Sequence, residues 1–321
     1  MSLRAKIREK HRLLDEIIRD LEGLKKTGFE NQYAIDENIK FFKAMYSLPR
    51  YFRWLVKEMP KIDGSRLLEL SDFPLGHGRW ESILQAELLE IEKWKFPDNL
   101  MQFRKELLKQ INDLSQSSGS QGLLLMSLGS GPMEIERQII LALKKENVIQ
   151  KIVFVGVDSS QASLDAAKNN LAELNIPIVQ TDSLQADELE TIKKKYSKHQ
   201  FIIILLKRDV FALNSFFQDG SVDLIYHGQF KHHLDLPRKQ ALDSLVARLS
   251  NRVVEDDLLN NLFMFILPIL IRTRWFHPIL LNGAQFSSLR CPTKNDLKTD
   301  SAIDWQTKIF PDGYISTYKK V

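Results

Sequence analysis

Leu123-Leu-Leu-Met-Ser-Leu-Gly-Ser-Gly-Pro132 is the stretch from which the fold of this chain can be read. An almost unbroken apolar run enters a glycine turn, the pattern of a strand buried on both faces. Met133-Glu-Ile-Glu-Arg-Gln-Ile-Ile-Leu-Ala-Leu143 follows with helical periodicity, and Pro132 suits the first position of that helix. Strand, glycine turn and helix together make a ligand cradle. Gly129 and Gly131 let the backbone pass close to a bound molecule, and the unpaired amides at the helix start attract its negative end. Taken alone, the glycines are equally well explained by a tight turn.

Working outward, Ile152-Val-Phe-Val-Gly-Val157 is a second buried strand, and Asp158 stands at its carboxyl edge. A carboxylate there, beside the first glycine loop of a parallel sheet, can accept two hydrogen bonds from the vicinal hydroxyls of a ribose. The alternative is that Asp158 caps the helix Gln161–Leu174, a job that Ser159 or Ser160 can also do. Further apolar runs follow at Phe201–Leu206, Val222–Tyr226 and Arg252–Glu255. Their alternation with amphipathic segments predicts parallel strands joined by crossover helices. Ile303–Phe310 and Tyr314–Lys320 flank Pro311-Asp312-Gly313 and predict an antiparallel hairpin. The expected fold is therefore α/β: a Rossmann-like open, mostly parallel seven-stranded sheet with a C-terminal antiparallel hairpin.

The amino-terminal third reads as helical. Ile7, Leu14, Ile17, Leu21 and Leu24 recur on one face until Gly28, and Leu100, Phe103, Leu107, Ile111 and Leu114 repeat the pattern after Asp98. Asn38–Ser47, Arg50–Met59 and Ser82–Trp94 also have helical composition, punctuated by prolines. The small, polar run from Ser115 to Gly122 then predicts a connection. Residues 1–118 are expected to form an all-helical domain serving as lid, acceptor region or interaction region, and residues 119–321 the sheet domain.

Composition narrows the function classes. The 321 residues carry 45 basic and 41 acidic side chains, a balance of +4 that makes nucleic acid an unlikely partner. The single Cys291 excludes an intrachain disulfide framework and a multi-thiolate zinc site, and it fits a reducing, cytoplasmic setting. The longest apolar run, Leu262–Ile271, is about half the ~20 residues that cross a bilayer, so no transmembrane segment is expected. That run reads as a buried helix, with a lipid-facing or homodimer-forming segment as the alternative. With Trp275, Phe276 and His277 it is also a candidate lid or acceptor pocket.

From the Leu128-Gly-Ser-Gly-Pro132 loop, Val155-Gly-Val-Asp-Ser159, Arg208-Asp-Val-Phe211, and Gly220-Ser-Val-Asp-Leu-Ile225 leading to Lys231-His-His-Leu234, the chain resembles the class I S-adenosylmethionine-dependent methyltransferases. The resemblance covers about residues 123 to 321, including the terminal hairpin. It implies S-adenosylmethionine as cofactor, S-adenosylhomocysteine as product, and in-line methyl transfer to an acceptor. Gly129, Ser130 and Gly131 would contact the methionine part, Asp158 with Ser159 the ribose, and Asp209 with the Val210 amide the adenine. Tyr226, His227 and Gly228 would line the sulfonium and the acceptor. Thr181-Asp182 is a rival for the adenine position; if Asp209 holds it, Ile176 to Gln200 is an insertion. The chain departs from the family's pattern at Ser127, where an acid is usual, and at Met133, where a third glycine is usual. Ser127 retains a hydroxyl for a water or the cofactor's ammonium, and Glu134 is a partial substitute for the missing acid.

If the acceptor is a hydroxyl, His227, His232 and His233 are the candidate bases. A metal site is not expected, because no cysteine neighbours these histidines and adjacent helical residues point apart. Tyr226-His-Gly-Gln229 lacks the Asn/Asp-Pro-Pro-aromatic sequence with which the family holds planar amino groups, so a small-molecule acceptor is expected. Two alternatives stay open: a methyltransferase-like binding or scaffold protein, and a nicotinamide-dependent oxidoreductase, to which Gly129-Ser-Gly131 offers half a fingerprint.

Overall fold

The computed structural model describes residues 3–70, 73, 98–117, 122–146, 150–260, 278–292, 297, 303–310 and 313–320. The expected helices at Ser82–Trp94 and Leu262–Ile271, together with Trp275, Phe276 and His277, lie outside the described residues.

An eight-stranded sheet organises the larger of two compact units, which takes in residues 88–259 and 292–321. Its strands are β1 (Leu123–Leu128), β2 (Ile152–Asp158), β3 (Ile178–Thr181), β4 (Phe201–Lys207), β5 (Leu224–Gly228), β6 (Arg252–Leu258), β7 (Gln306–Ile309) and β8 (Gly313–Lys319), in the order β3-β4-β2-β1-β5-β6-β8-β7. The first six run parallel, and β8 is antiparallel to both β6 and β7. This is the Rossmann-like sheet expected from the sequence, with one addition. Ile176–Gln200 contributes the short edge strand β3 and a helix, so that β4 lies between β3 and β2. Only four residues long and partly exposed, β3 lacks the continuous apolar run that marks the inner strands.

Both faces of the sheet are covered, which is why β1, β2 and β4 read as nearly unbroken apolar runs. On one face Leu123, Leu125, Phe154 and Ile203 pack against α4 (Asp98–Ser117), α5 (Glu134–Lys145) and α6 (Gln161–Leu171). On the other, Leu124, Met126, Val155 and Ile204 pack against α7 (Ala186–Lys195) and α8 (Leu236–Leu249). Local chemistry starts the helices. The Ser160 hydroxyl accepts from the Ser163 amide to begin α6, and Asp235 accepts from Arg238 to begin α8. Gln185 and Glu188 form a reciprocal capping box on α7.

The second unit comprises residues 1–87 and 260–291, and its described helices are α1 (Leu3–Lys26), α2 (Gln32–Ala44), α3 (Leu48–Lys57) and α9 (Pro278–Arg290). Its core is aromatic: Phe41 meets Tyr51, Trp54 and Phe286 edge to face. Buried amides bind the late helix to the early chain, with Asn282 donating to Asn38 at 2.8 Å and accepting from the Leu70 amide at 2.8 Å.

This division differs from a single boundary near residue 118. Helix α4 belongs to the sheet unit, where Phe103, Leu107 and Ile111 are fully buried, and α9 belongs to the helical unit despite its place late in the chain. Amphipathic periodicity shows that a helix needs a partner, but not which apolar surface supplies it.

Phe154 sits fully buried in the centre of β2. Phe154→Ala is expected to lower unfolding free energy by about 3–5 kcal/mol through lost burial and the cavity left behind, measurable by denaturant unfolding.

Candidate cofactor-binding site

After β1 the order of the sheet reverses, with β2 on one side and β5 on the other. The carboxyl ends of β1 and β5 therefore flank the crevice where open α/β sheets bind ligands. The turn leaving β1 has Gly129 at φ +60° and Gly131 at φ +50°, followed by Met133 at +55°. Helix α5 starts at Glu134, with left-handed Met133 in the capping position, so Pro132 is not its first residue. Met133 thus takes the backbone conformation that a glycine adopts most readily. Its side chain is buried; a Cβ on Gly156 would meet the Met133 sulfur at 2.7 Å and the Ser130 hydroxyl at 3.0 Å. Gly156 is therefore what lets this turn lie down on β2.

Asp158 closes the arrangement. Its Oδ2 accepts from the Gly131 amide and its Oδ1 from the Ser160 amide, both at 2.9 Å. Ser160, not Asp158, is the N-cap of α6. Asp158 therefore braces the turn and the start of α6 at once. Next to β2, β4 ends at Lys207, and the Arg208 amide donates to the Asp158 carbonyl at 3.0 Å. Asp209 follows, exposed, its carboxylate accepting from the Phe211 amide, with buried Val210 beside it. Asp182, by contrast, follows edge strand β3, one strand further out. The tips near 129, 158 and 209 thus belong to three adjacent strands.

The last residues of β5 divide between the two faces of the sheet. Tyr226 lies in the α5-side core, in register with Ser127 of β1, with its hydroxyl turned toward Glu136 and Ser127. His227, next in the strand, points to the other face. It is fully buried, neither ring nitrogen is hydrogen bonded, and Nε2 lies 3.6 Å from Glu255. Burial pushes the His227 pKa down despite the opposing pull of Glu255. Tyr226 and His227 therefore do not line one space. Gly228 faces Phe103, and the Phe230 ring lies directly against Gly129 across the crevice; a side chain at position 129 would collide with it.

Glu136, in the first turn of α5, is a buried acid that the sequence did not single out. It lies over Ser127 and Tyr226 and is 2% exposed; burial raises its pKa. Glu134 instead holds Arg137 at 2.9 Å, Gln138 at 2.7 Å and Asn170 at 3.0 Å. Burial alone would raise the Glu134 pKa, and those three partners outweigh it and hold it low. Two acids at i and i+2 leave a helix in different directions, so their presence marks the turn without saying which one reaches the crevice.

A further polar network lies on the α8 face. Lys231 Nζ meets Asp243 at 2.7 Å and Glu255 at 3.1 Å, and the Tyr314 hydroxyl donates to Glu255 at 2.6 Å. Burial would lower the Lys231 pKa, but Glu255 and Asp243 hold it above the usual lysine value. His232 Nδ1 lies 2.6 Å from Asp257, and its amide donates to the same carboxylate at 3.0 Å. The short turn Lys231–His233 sets the His232 and His233 rings side by side, 4.2 Å between centroids, not pointing apart as on a regular helix. Lys231, His232, Glu255, Asp257 and Trp305 border a cavity of about 40 Å³, room for a few water molecules only.

No family model matches this sequence, and no curated protein does. Among solved structures the chain is similar to the plantazolicin methyltransferase BpumL in complex with a triazolic desmethylPZN analog and SAH, at 12% identity and TM-score 0.46, over 76% of this chain and 95% of that one. It is similar at 15% identity and TM-score 0.39 to the methyltransferase domain of bacterial-CtHen1-CN, over 68% of this chain and 99% of the other. A third likeness is magnesium protoporphyrin IX methyltransferase (ChlM) from Synechocystis PCC 6803 with bound SAH, at 12% identity and TM-score 0.38, over 75% and 100% of the two chains.

Although burial would raise the Asp257 pKa, the attraction of His232 and three hydrogen bonds lower it below the usual aspartate value. A depressed folded-state pKa contributes stability above the unfolded-state value, and this is lost as pH falls through the folded value. Wild type is therefore expected to lose more stability than Asp257→Asn between roughly pH 5 and pH 2, read by denaturant unfolding at each pH.

Proposed function

We propose that this chain is an S-adenosylmethionine-dependent methyltransferase acting on a small-molecule acceptor. The observation that carries the reading is the meeting of three adjacent strand tips: the positive-φ turn Gly129–Gly131, Asp158 bonded to that turn, and Asp209 on the strand beside it. The buried Ser130 hydroxyl, which is not hydrogen bonded, adds a polar group at the same turn and fits a polar cofactor. Gly129, Ser130 and Gly131 would hold the methionine part, Asp158 and Ser159 the ribose, and Asp209 with the Val210 amide the adenine. Tyr226 and Gly228 would border the sulfonium.

When bound, the cofactor supplies an electrophilic methyl group on a positively charged sulfur. The chain's part is alignment and exclusion of water. For a hydroxyl acceptor a base is also required. His227 is fully buried on the face opposite Tyr226 and drops out, so His232, whose ring Asp257 orients, and neighbouring His233 are the candidates.

A binding protein without turnover is the second reading, and one observation favours it: the Phe230 ring packs on the first glycine of the turn. Thermal unfolding with S-adenosylhomocysteine, S-adenosylmethionine or NAD tests the cofactor, and methyl transfer from S-adenosylmethionine separates an enzyme from a binding protein. Stabilisation by the first two and not by NAD is expected, and stabilisation by NAD alone overturns the proposal. Asp158→Ala is expected to weaken S-adenosylhomocysteine by about 1–3 kcal/mol in a calorimetric titration, the cost of losing a charged acceptor. Unchanged affinity would leave Asp158 with the turn-bracing role alone.

A further inference from the structure

Helix α3, Leu48-Pro-Arg-Tyr-Phe-Arg-Trp-Leu-Val-Lys57, carries three cations and no acid. Its inner face is fixed: Tyr51 and Trp54 are buried against Phe41, so the helix cannot turn its other side inward. The outer face presents two rows side by side. Pro49, Phe52 and Val56 form one, Arg50, Arg53 and Lys57 the other, each spaced i, i+3, i+7 and every member exposed. Val56 is 74% exposed and Phe52 48%, the two highest values for large apolar side chains among the described residues. Lys25, Lys40 and Lys43 of the same unit each pair with an acid, whereas among the described residues no carboxylate lies within 4 Å of Arg50, Arg53 or Lys57. Glu58, the next residue of the chain, is engaged by Lys61 at 3.6 Å.

We infer that the outer face of α3 docks on an anionic lipid surface, with Phe52 and Val56 entering the acyl boundary and Arg50, Arg53 and Lys57 lying at the headgroup phosphates. A shallow apolar row edged by unpaired cations suits such a surface, because one row leaves water while the other meets negative charge. Other occupants fit less well. A stable protein interface buries roughly 800 Å² on each partner, far more than two apolar side chains supply. A second copy of this chain docked through the same face would crowd three cations from each copy around one axis. A nucleic acid would engage the cations and leave Phe52 and Val56 in water. Docking of this kind is independent of the cofactor reading.

The test is co-sedimentation of the full chain with vesicles of phosphatidylcholine and phosphatidylserine in equal parts, and with phosphatidylcholine alone. Binding to the mixed vesicles is expected to be about tenfold tighter or more, and to weaken as salt rises. Phe52→Ser combined with Val56→Ser should lower it about tenfold with every cation in place. Arg53→Gln combined with Lys57→Gln should lower it to a similar extent with the apolar row intact. Lys194→Gln combined with Lys195→Gln on α7 removes the same charge from the sheet unit and should change binding by less than about twofold. All the substituted side chains are exposed, so melting temperatures should stay close to wild type, which separates lost docking from lost fold. Absence of binding to the mixed vesicles, equal binding to both kinds, unchanged binding by the serine variant, or an equal loss from the α7 pair each overturns the proposal. So does a wild-type dimer in sedimentation equilibrium that the serine variant separates, which would give the face to a second copy.

Discussion

The Asp158 carboxylate is the joint on which the carboxyl edge of the sheet depends. One oxygen takes the Gly131 amide from the turn after β1, the other takes the Ser160 amide at the start of α6, and the Asp158 carbonyl receives the Arg208 amide after β4. Three chain segments far apart in sequence are thereby held at one place by charge-assisted and backbone hydrogen bonds. The turn it braces has positive φ at three of five residues, one of them methionine. Such a conformation persists only where its surroundings over-determine it, and the Asp158 bond together with Met133 packed on Gly156 does so here.

Beside that joint the satisfaction of polar groups changes abruptly. On the α8 face, Lys231, Asp243, Glu255 and Tyr314 satisfy one another in a closed network, as buried ions must. The Ser130 hydroxyl in the glycine turn and both ring nitrogens of His227 in β5 are, by contrast, without hydrogen bonds. A closed network adds rigidity, whereas an open one stores binding capacity for a ligand that completes it.

Much of the sheet could be read directly from the chain, because a strand buried on both faces has to be apolar throughout. Leu123–Leu128, Ile152–Val157 and Phe201–Leu206 show this, and Pro311-Asp312-Gly313 indicated the hairpin that β7 and β8 form. β3 was harder: at the edge and partly exposed, its sequence passes for a loop. Among site residues, Gly129, Gly131 and Asp158 stand out because turns and strand tips constrain residue type. Phe230 does not, since an aromatic in a loop is ordinary in itself.

Residue pattern was enough for the order of elements, their burial on two faces and the position of the glycine turn, because these follow from periodicity and backbone conformation along the chain. The partnerships came from three-dimensional packing: α4 with the sheet, α9 with the early helices, Tyr226 and His227 on opposite faces, and Glu136 above Ser127. The physical reason is that burial and charge compensation depend on which surfaces meet in space, and that distance is not encoded in spacing along the chain.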